Sequence, residues 1–310
     1  MTQSLEDACR AACLALGVDY KAVLEDGQFH TADLTDDHKG KNDGRIKIFA
    51  DRQGGIVWNY KSGEKKCFFI NNGKPGQPAP PIDRKHIEHE QAKRKAEEAE
   101  KQDKAARKAL AIWQAAAPAL VDHPYLIRKQ VKPHALRCGQ WQRVITLDGG
   151  QRKTLTIPNV LLLPLYDASG SLRSLQAIFP DKHPILGRDK DFLPSGGLAG
   201  LFWWIGAKTD TVLICEGWAT AATLHEQTGY RVYMAFTANN LLAVGRIVRE
   251  KLPGAEIIFC ADNDTQTPGN PGLTKAEAAA IEVDGAVAVP PIQGDFNDYA
   301  IFLKGNINEQ

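Results

Sequence analysis

The chain has 310 residues, 43% hydrophobic and 24% charged, with 38 Lys and Arg against 37 Asp and Glu. That length predicts two or three domains, and the balance is that of an ordinary globular protein rather than a disordered or fibrous one. No apolar run approaches the roughly 18 residues needed to span a membrane, and the first residues lack the basic-then-apolar order of a signal peptide. Six scattered cysteines form no C-x-x-C pair, which argues against structural zinc and suits a reducing cytoplasm.

Residues 1–75 read as a small α+β domain. Ser4 is placed to cap a helix in which Leu5, Ala8, Cys9, Ala12, Cys13 and Leu16 recur at helical spacing, with Gly17 as its stop. Three strands are expected, Arg45 to Ala50, Gly55 to Tyr60 and Lys66 to Ile70, separated by turns at Asp51 to Gly54 and Lys61 to Glu64. Trp58, Tyr60, Phe68 and Phe69 suit a packed mini-core first and stacking on unpaired bases second. Cys9 and Cys13 share a helix face, a pattern better suited to small core residues than to metal ligands.

The segment 76–118 is predicted to be linker and helix. Asn71 to Pro81 is rich in Gly and Pro, and Asp83 to Ala117 is a charged helix with favourable pairs at Glu90 with Arg94 and Glu97 with Lys101. Its first two-thirds lacks an apolar stripe, so it reads as a solvated spacer with Leu110, Ile112 and Trp113 as a docking end. Residues 119–208 read as a basic subdomain. Between His123 and Lys190, 11 Lys and Arg against 4 Asp leave a local charge of 11 − 4 = +7. Asn159 to Tyr166 and Leu172 to Phe179 predict a hairpin turning at Asp167 to Gly170. Trp203 and Trp204 are expected to pack against the domain that follows.

From 209 to 310 apolar strands alternate with helices. The expected order is strand Val212 to Cys215, helix Ala219 to Glu226, strand Arg231 to Phe236, helix Asn240 to Lys251, strand Ile257 to Ala261, helix Thr274 to Val283, and strand Ala286 to Val289. That alternation predicts a Rossmann-like parallel sheet. In such a sheet ligands bind beyond the carboxyl ends of the strands. Glu216, Asp262, Asp264, Asp295 and Asp298 each follow a short apolar run, so they are expected to meet at one edge. Carboxylates gathered in one crevice repel each other unless a hard cation sits among them, and Mg²⁺ takes oxygen ligands while leaving room for phosphate. Acids here beside the basic 119–208 region suit a polyanion laid over a metal site.

The wording of these segments resembles the TOPRIM fold, and most of all the TOPRIM primases of plasmids and phages. Ile214 to Thr220 reads Ile-Cys-Glu-Gly-Trp-Ala-Thr. Asn240-Leu241, Ala261 to Asp264 as Ala-Asp-Asn-Asp, and Asp295 to Asp298 as Asp-Phe-Asn-Asp follow in the family's order. The resemblance implies a DnaG-related catalytic core that makes short RNA primers on single-stranded DNA from ribonucleoside triphosphates, using Mg²⁺ or Mn²⁺. Asp262 and Asp264 would hold the ion. Glu216 would be a ligand or the base for the primer 3′-hydroxyl. Asp295 and Asp298 would complete the cluster as metal ligands. DnaG-type enzymes commonly carry Asp-x-Asp there, whereas this chain has Asp295 and Asn297, so a second ion is left open.

The hairpin resembles the subdomain that precedes TOPRIM in DnaG-type primases. His123 to Gln130, with Arg128 and Lys129, resembles the opening helix of that catalytic region. The stretch Lys190 to Gly197 resembles a lysine-bearing segment that faces the incoming nucleotide, with Asp191 inserted. Lys190 is therefore the first expected triphosphate contact, and Arg173, Gln176, Lys182, Arg128 and Lys129 are further nucleotide or DNA contacts. The N-terminal domain stands where DnaG-type primases carry a zinc ribbon that helps engage template, but it lacks zinc ligands. No helicase motif is present, so a helicase is expected as a separate partner. Two other readings stay open: a TOPRIM nuclease using the same ions, and a non-catalytic single-strand-binding replication factor.

Overall fold

The computed structural model describes residues 4–23, 27–36, 42–49, 51–70, 84–146, 150–267 and 269–307. The expected linker at Asn71 to Pro81, with Ala50, Asp83 and Asp148, lies outside them. The chain divides into two units, Met1–Asp83 and Arg84–Gln310, each described here by itself.

In the first unit, α1 (Leu5–Ala15) starts where Ser4 Oγ accepts from the Asp7 N–H at 3.0 Å. An antiparallel sheet follows in the order β1 (His30–Ala32), β2 (Gly44–Ile48), β3 (Gly54–Asn59) and β4 (Lys65–Phe69). β1 was not foreseen, since three residues carry too little alternation to register as a strand. Ala8, Cys9, Ala12 and Cys13 of α1 pack on Ile46, Ile48, Val57 and Phe68 from one face of the sheet. The two cysteine thiols are thus core groups. The opposite face carries Arg45 opposite Trp58 and Trp58 opposite Lys65. There Trp58 stacks on Tyr60 at 3.9 Å, Lys65 Nζ lies 4.0 Å over the Trp58 ring, and Arg45 lies 4.8 Å over Tyr60.

The second unit opens with the 32-residue α2 (Arg84–Ala115). A five-stranded antiparallel sheet follows in the order β5 (Ala117–Pro118), β6 (Arg137–Thr146), β7 (Arg152–Tyr166), β8 (Leu172–His183) and β9 (Arg188–Phe192), with the short α3 (Pro124–Lys129) between β5 and β6. Val160 to Leu165 in β7 is apolar at nearly every position because both faces are covered. Val160 and Leu162, with Leu175, Ala177 and Phe179, meet Ala105, Ala109, Ile112 and Trp113 of α2. The docking end expected at Leu110, Ile112 and Trp113 packs through Ile112 and Trp113, and it extends back along the helix through Ala105 and Ala109. Its docking stripe is made largely of alanines, which let the helix approach closely but give almost no hydrophobic signal, while the expected Leu110 stays exposed.

Leu161, Leu163 and Leu165, on the other face of β7, join a core with Tyr125 and Leu126 of α3 and one face of a second sheet. This sheet runs β10 (Trp203–Ile205), β12 (Arg231–Met234), β11 (Thr211–Cys215), β13 (Glu256–Cys260), β14 (Ala286–Ala288). All its pairings are parallel except β10, an antiparallel edge strand built from the two tryptophans expected only to pack at the junction. Between these strands run α4 (Trp218–Thr228), α5 (Leu241–Lys251) and α6 (Pro271–Val283), and α7 (Phe296–Ile307) follows β14. α4 covers the face shared with the first sheet, whereas α5 and α6 cover the other, through Val244, Val248, Ala276, Ala279 and Val283. Gly245 of α5 is required there, because a Cβ would fall 2.7 Å from Phe259 Cζ.

Candidate active site

β11 and β13 are parallel neighbours, with Ile214 opposite Phe259, so Glu216 and Asp262 leave the sheet at the same edge. The helix after β11 lies on one face of the sheet and the helix after β13 on the other. That reversal opens the crevice in which doubly wound sheets bind ligands.

Gly217 caps α4 with extended backbone, leaving Glu216 in the crevice. Burial raises the Glu216 carboxyl above its ordinary value; the Ala238 N–H and Lys190 oppose this, and Asp264 adds to it. Asp262 is pushed up to about 7, first by burial and then by Glu216, Asp295 and Asp264, with Lys190 opposing. Its Oδ1 is buried and has no hydrogen-bond partner among the described residues. Gly272, at the start of α6, lies against this pair: a Cβ there would sit 3.3 Å from Glu216 Oε1.

Asn263, between the two aspartates, turns away. Its Nδ2 donates to Pro290 O and Ile292 O, both at 3.2 Å, and its backbone pairs with Gly294. This ties the β13 loop to the one carrying Asp295 and Asp298. Those two acids cap α7 reciprocally: Asp295 Oδ1 accepts from the Asp298 N–H at 2.8 Å, and Asp298 Oδ2 from the Asp295 N–H at 3.3 Å. Asp298 also faces α3, where Lys129 Nζ donates to its Oδ1 at 3.1 Å.

The other expected contacts are distributed unevenly. Lys190, in β9, acts electrostatically on Glu216 and Asp262. Arg128 is turned to Asp181 Oδ1 and Pro180 O. Arg173 is paired with Asp103 of α2. Gln176 is 6% exposed, buried in the sheet rather than presented to a ligand. Lys182 is exposed near the end of β8. The inserted Asp191 is structural: it is buried, accepts from Trp141 Nε1 at 3.0 Å and from Arg188 at 2.9 Å, and lies 3.7 Å from Arg143. His123 caps α3 and bonds Asn159 O, and His134 bonds Glu226.

Sequence reasoning also missed what the asparagines of the motifs do. Asn240 is 3% exposed and bridges three backbone groups, accepting from the Gly200 N–H and donating to Leu201 O and Ala235 O at 2.7, 2.8 and 2.9 Å. Asn297 is 1% exposed and donates to Lys129 O and Thr223 Oγ1 at 2.7 and 2.9 Å. Their position in short polar motifs is the only sequence signal either carries.

Among the described residues no three His, Cys, Asp or Glu side chains form a ready metal cage. The donor set nevertheless fits a hard cation. Every candidate ligand is a carboxylate oxygen, and Asp262 Oδ1 is a buried oxygen with no hydrogen-bond partner among the described residues, which a hard cation would satisfy.

The sheet order, the helices on opposite faces and the acids beyond β11 and β13 coincide with a family match: the Toprim domain model covers residues 211–303. That match spans 93 of the 310 residues. The chain as a whole is similar to a DNA primase TraC of Escherichia coli, 29% identical over 289 residues, covering 89% of this chain and 25% of that protein. A second DNA primase TraC of Escherichia coli is 28% identical over a 312-residue alignment, covering 96% of this chain and 20% of that protein. The chain therefore spans a quarter or less of the length of these curated relatives. A DNA primase domain from Pseudomonas aeruginosa superposes with a TM-score of 0.45 at 13% identity, covering 66% of this chain and 78% of that one. Around the Toprim sheet, no helix among the described residues is long and apolar enough to cross a membrane.

Proposed function

We propose that this chain is a DNA primase: a metal-dependent nucleotidyltransferase that joins ribonucleotides on a single-stranded DNA template, in plasmid or phage replication or transfer. The observation that carries it is the crevice beyond β11 and β13, where Glu216 and Asp262 leave the sheet at one edge beside Asp264, with Lys190 of the preceding subdomain acting on Glu216 and Asp262. Similarity to DNA primase TraC over most of the chain supports the same reading.

Phosphoryl transfer asks mainly for positioning and for neutralisation of charge. Asp262 and Asp264 are the residues that would hold Mg²⁺ or Mn²⁺, with Glu216 beside them as a further ligand or as the acceptor of the 3′-hydroxyl proton. When bound, the ion supplies charge neutralisation for the transferred phosphoryl group. Lys190 is assigned to the triphosphate as a compact positive charge. Burial and the neighbouring acids favour the protonated form of Asp262, and a cation held there would favour the carboxylate instead. In the first unit, Tyr60 and Phe69 are 48% and 61% exposed and remain suited to stacking on template bases, whereas Phe68 is buried. A replicative helicase would act as a separate partner.

The test is incubation with single-stranded DNA, labelled ribonucleotides and Mg²⁺ or Mn²⁺. Labelled oligoribonucleotides that disappear with Asp262→Ala are the expected result. Shortened DNA would point instead to a nuclease, and binding without either product to a replication factor without catalysis.

A further inference from the structure

The closing motif Asp295 to Asp298 faces in two directions. Asp295 is among the acids that act on Asp262, together with Glu216 and Asp264, and it caps α7 reciprocally with Asp298. The Asp298 side chain is 46% exposed, and each of its oxygens has one partner, Oδ1 accepting from the Lys129 ammonium and Oδ2 from the Asp295 N–H. That carboxylate also lies against Gly294, whose φ is +106° and where a Cβ would fall 2.7 Å from Asp298 Oδ2. The intervening Asn297, the residue that replaces an acid, is turned into the core and holds the Lys129 carbonyl. One four-residue segment thus grips Lys129 twice, once by its backbone and once by its ammonium, across 168 or 169 positions of sequence.

We propose that Lys129 is a built-in cation of the acidic centre, and that Asp298 and Asn297 are its clamp, so that the centre takes one divalent ion rather than two. This rests on the primase reading above for what the centre acts on. The double grip is what a positioned charge needs: a lysine side chain alone samples many rotamers, and fixing both ends removes that freedom. An ammonium has three N–H donors. One is spent on Asp298, and the others are assigned to oxygens of the substrate's triphosphate. Asp298 is then a positioning residue acting through Lys129, and Lys129 performs the neutralisation that a second ion would otherwise supply.

The test uses the full chain and needs no turnover. Free Mn²⁺ is titrated by electron paramagnetic resonance, and inorganic triphosphate binding is measured by calorimetry without metal. One Mn²⁺ per chain is expected. Asp298→Asn should keep that stoichiometry with affinity changed less than about threefold, whereas Asp262→Asn should weaken it more than about tenfold, the loss expected for a direct charged ligand. Lys129→Met should weaken triphosphate binding about tenfold and leave Mn²⁺ binding equal or tighter, with Lys129→Arg restoring most of the loss. Thermal melting checks that each variant folds, and the two lysine variants carry the result if Asp298→Asn does not. Two Mn²⁺ per chain in the unaltered protein, or loss of Mn²⁺ from a folded Asp298→Asn variant, overturns the proposal. So does unchanged triphosphate binding by Lys129→Met. If primers are made but two ions bind, only this inference fails. If one ion binds and no primers are made, the assignment as a primase fails and the clamp stands.

Discussion

Asp262→Asn tests the electrostatics of the crevice without reference to catalysis. In the folded protein without metal, burial and then three neighbouring acids push the Asp262 carboxyl from 3.8 to about 7. That displacement is equivalent to at most roughly 4 kcal/mol. Solvent screening at the partly exposed sheet edge reduces the expected effect to about 1–3 kcal/mol. A value raised on folding means that the neutral form is the one the fold favours. Its stabilisation is complete below about pH 4 and is lost as pH rises towards about 7. In chelator, then, the unaltered protein should lose stability across that window, and the neutral Asn variant should lack this part of the loss. At pH 8 the variant should melt about 2–12 °C higher, at 2–4 °C per kcal/mol for a unit of this size. At pH 4 the two should coincide. Millimolar Mg²⁺ should reverse the order at pH 8, since the unaltered protein gains more by binding than the variant does. The assay is differential scanning calorimetry of both proteins at the two pH values, with chelator or Mg²⁺. A variant no more stable than the parent at pH 8 in chelator would refute the description of Asp262 as a buried, mutually repelled carboxylate. Equal stabilisation of both by Mg²⁺ would refute its role as a ligand.

Lys190→Ala should weaken nucleotide binding more than single-stranded DNA binding in parallel titrations; equal loss of both would remove its assignment to the triphosphate. Asn240→Ala should destabilise the second unit by about 2–4 kcal/mol, because three backbone groups lose their partner at a buried site, read as a fall in the urea midpoint. Asp191→Ala should cost about 1–3 kcal/mol, chiefly by leaving the buried Trp141 Nε1–H without its acceptor, and chemical denaturation would show it. Gly245→Val should be destabilising by about 1–3 kcal/mol through overpacking against Phe259, with the melting temperature as the readout.

The region matched by the Toprim model, residues 211–303, was legible because its signal is local. Val212 to Cys215 and Ile257 to Ala261 are short apolar runs followed at once by Glu216 and Asp262, and a parallel strand covered on both faces must read that way. The order of strands and helices then required the two acids to share an edge. The preceding subdomain was harder. β6 and β9 are polar and half-exposed at most positions, so neither announces a strand. α2 docks through alanines. β10 is three residues long and owes its existence to pairing with β12.

What the sequence by itself determined is which chemistry is present: carboxylates at strand ends, a basic segment before them, and apolar runs of a length that makes sheets. What only the tertiary structure decided is which of those charges meet. Asp298 reads as one more acid in a cluster until α3 is seen to bring Lys129 against it. Asn297 reads as a lost ligand until its amide is found holding a carbonyl 168 positions away. The reason is physical: a side chain's identity is fixed by its own position in the sequence. Its partner, its exposure and its charge state depend on elements that reach it only when the chain has packed.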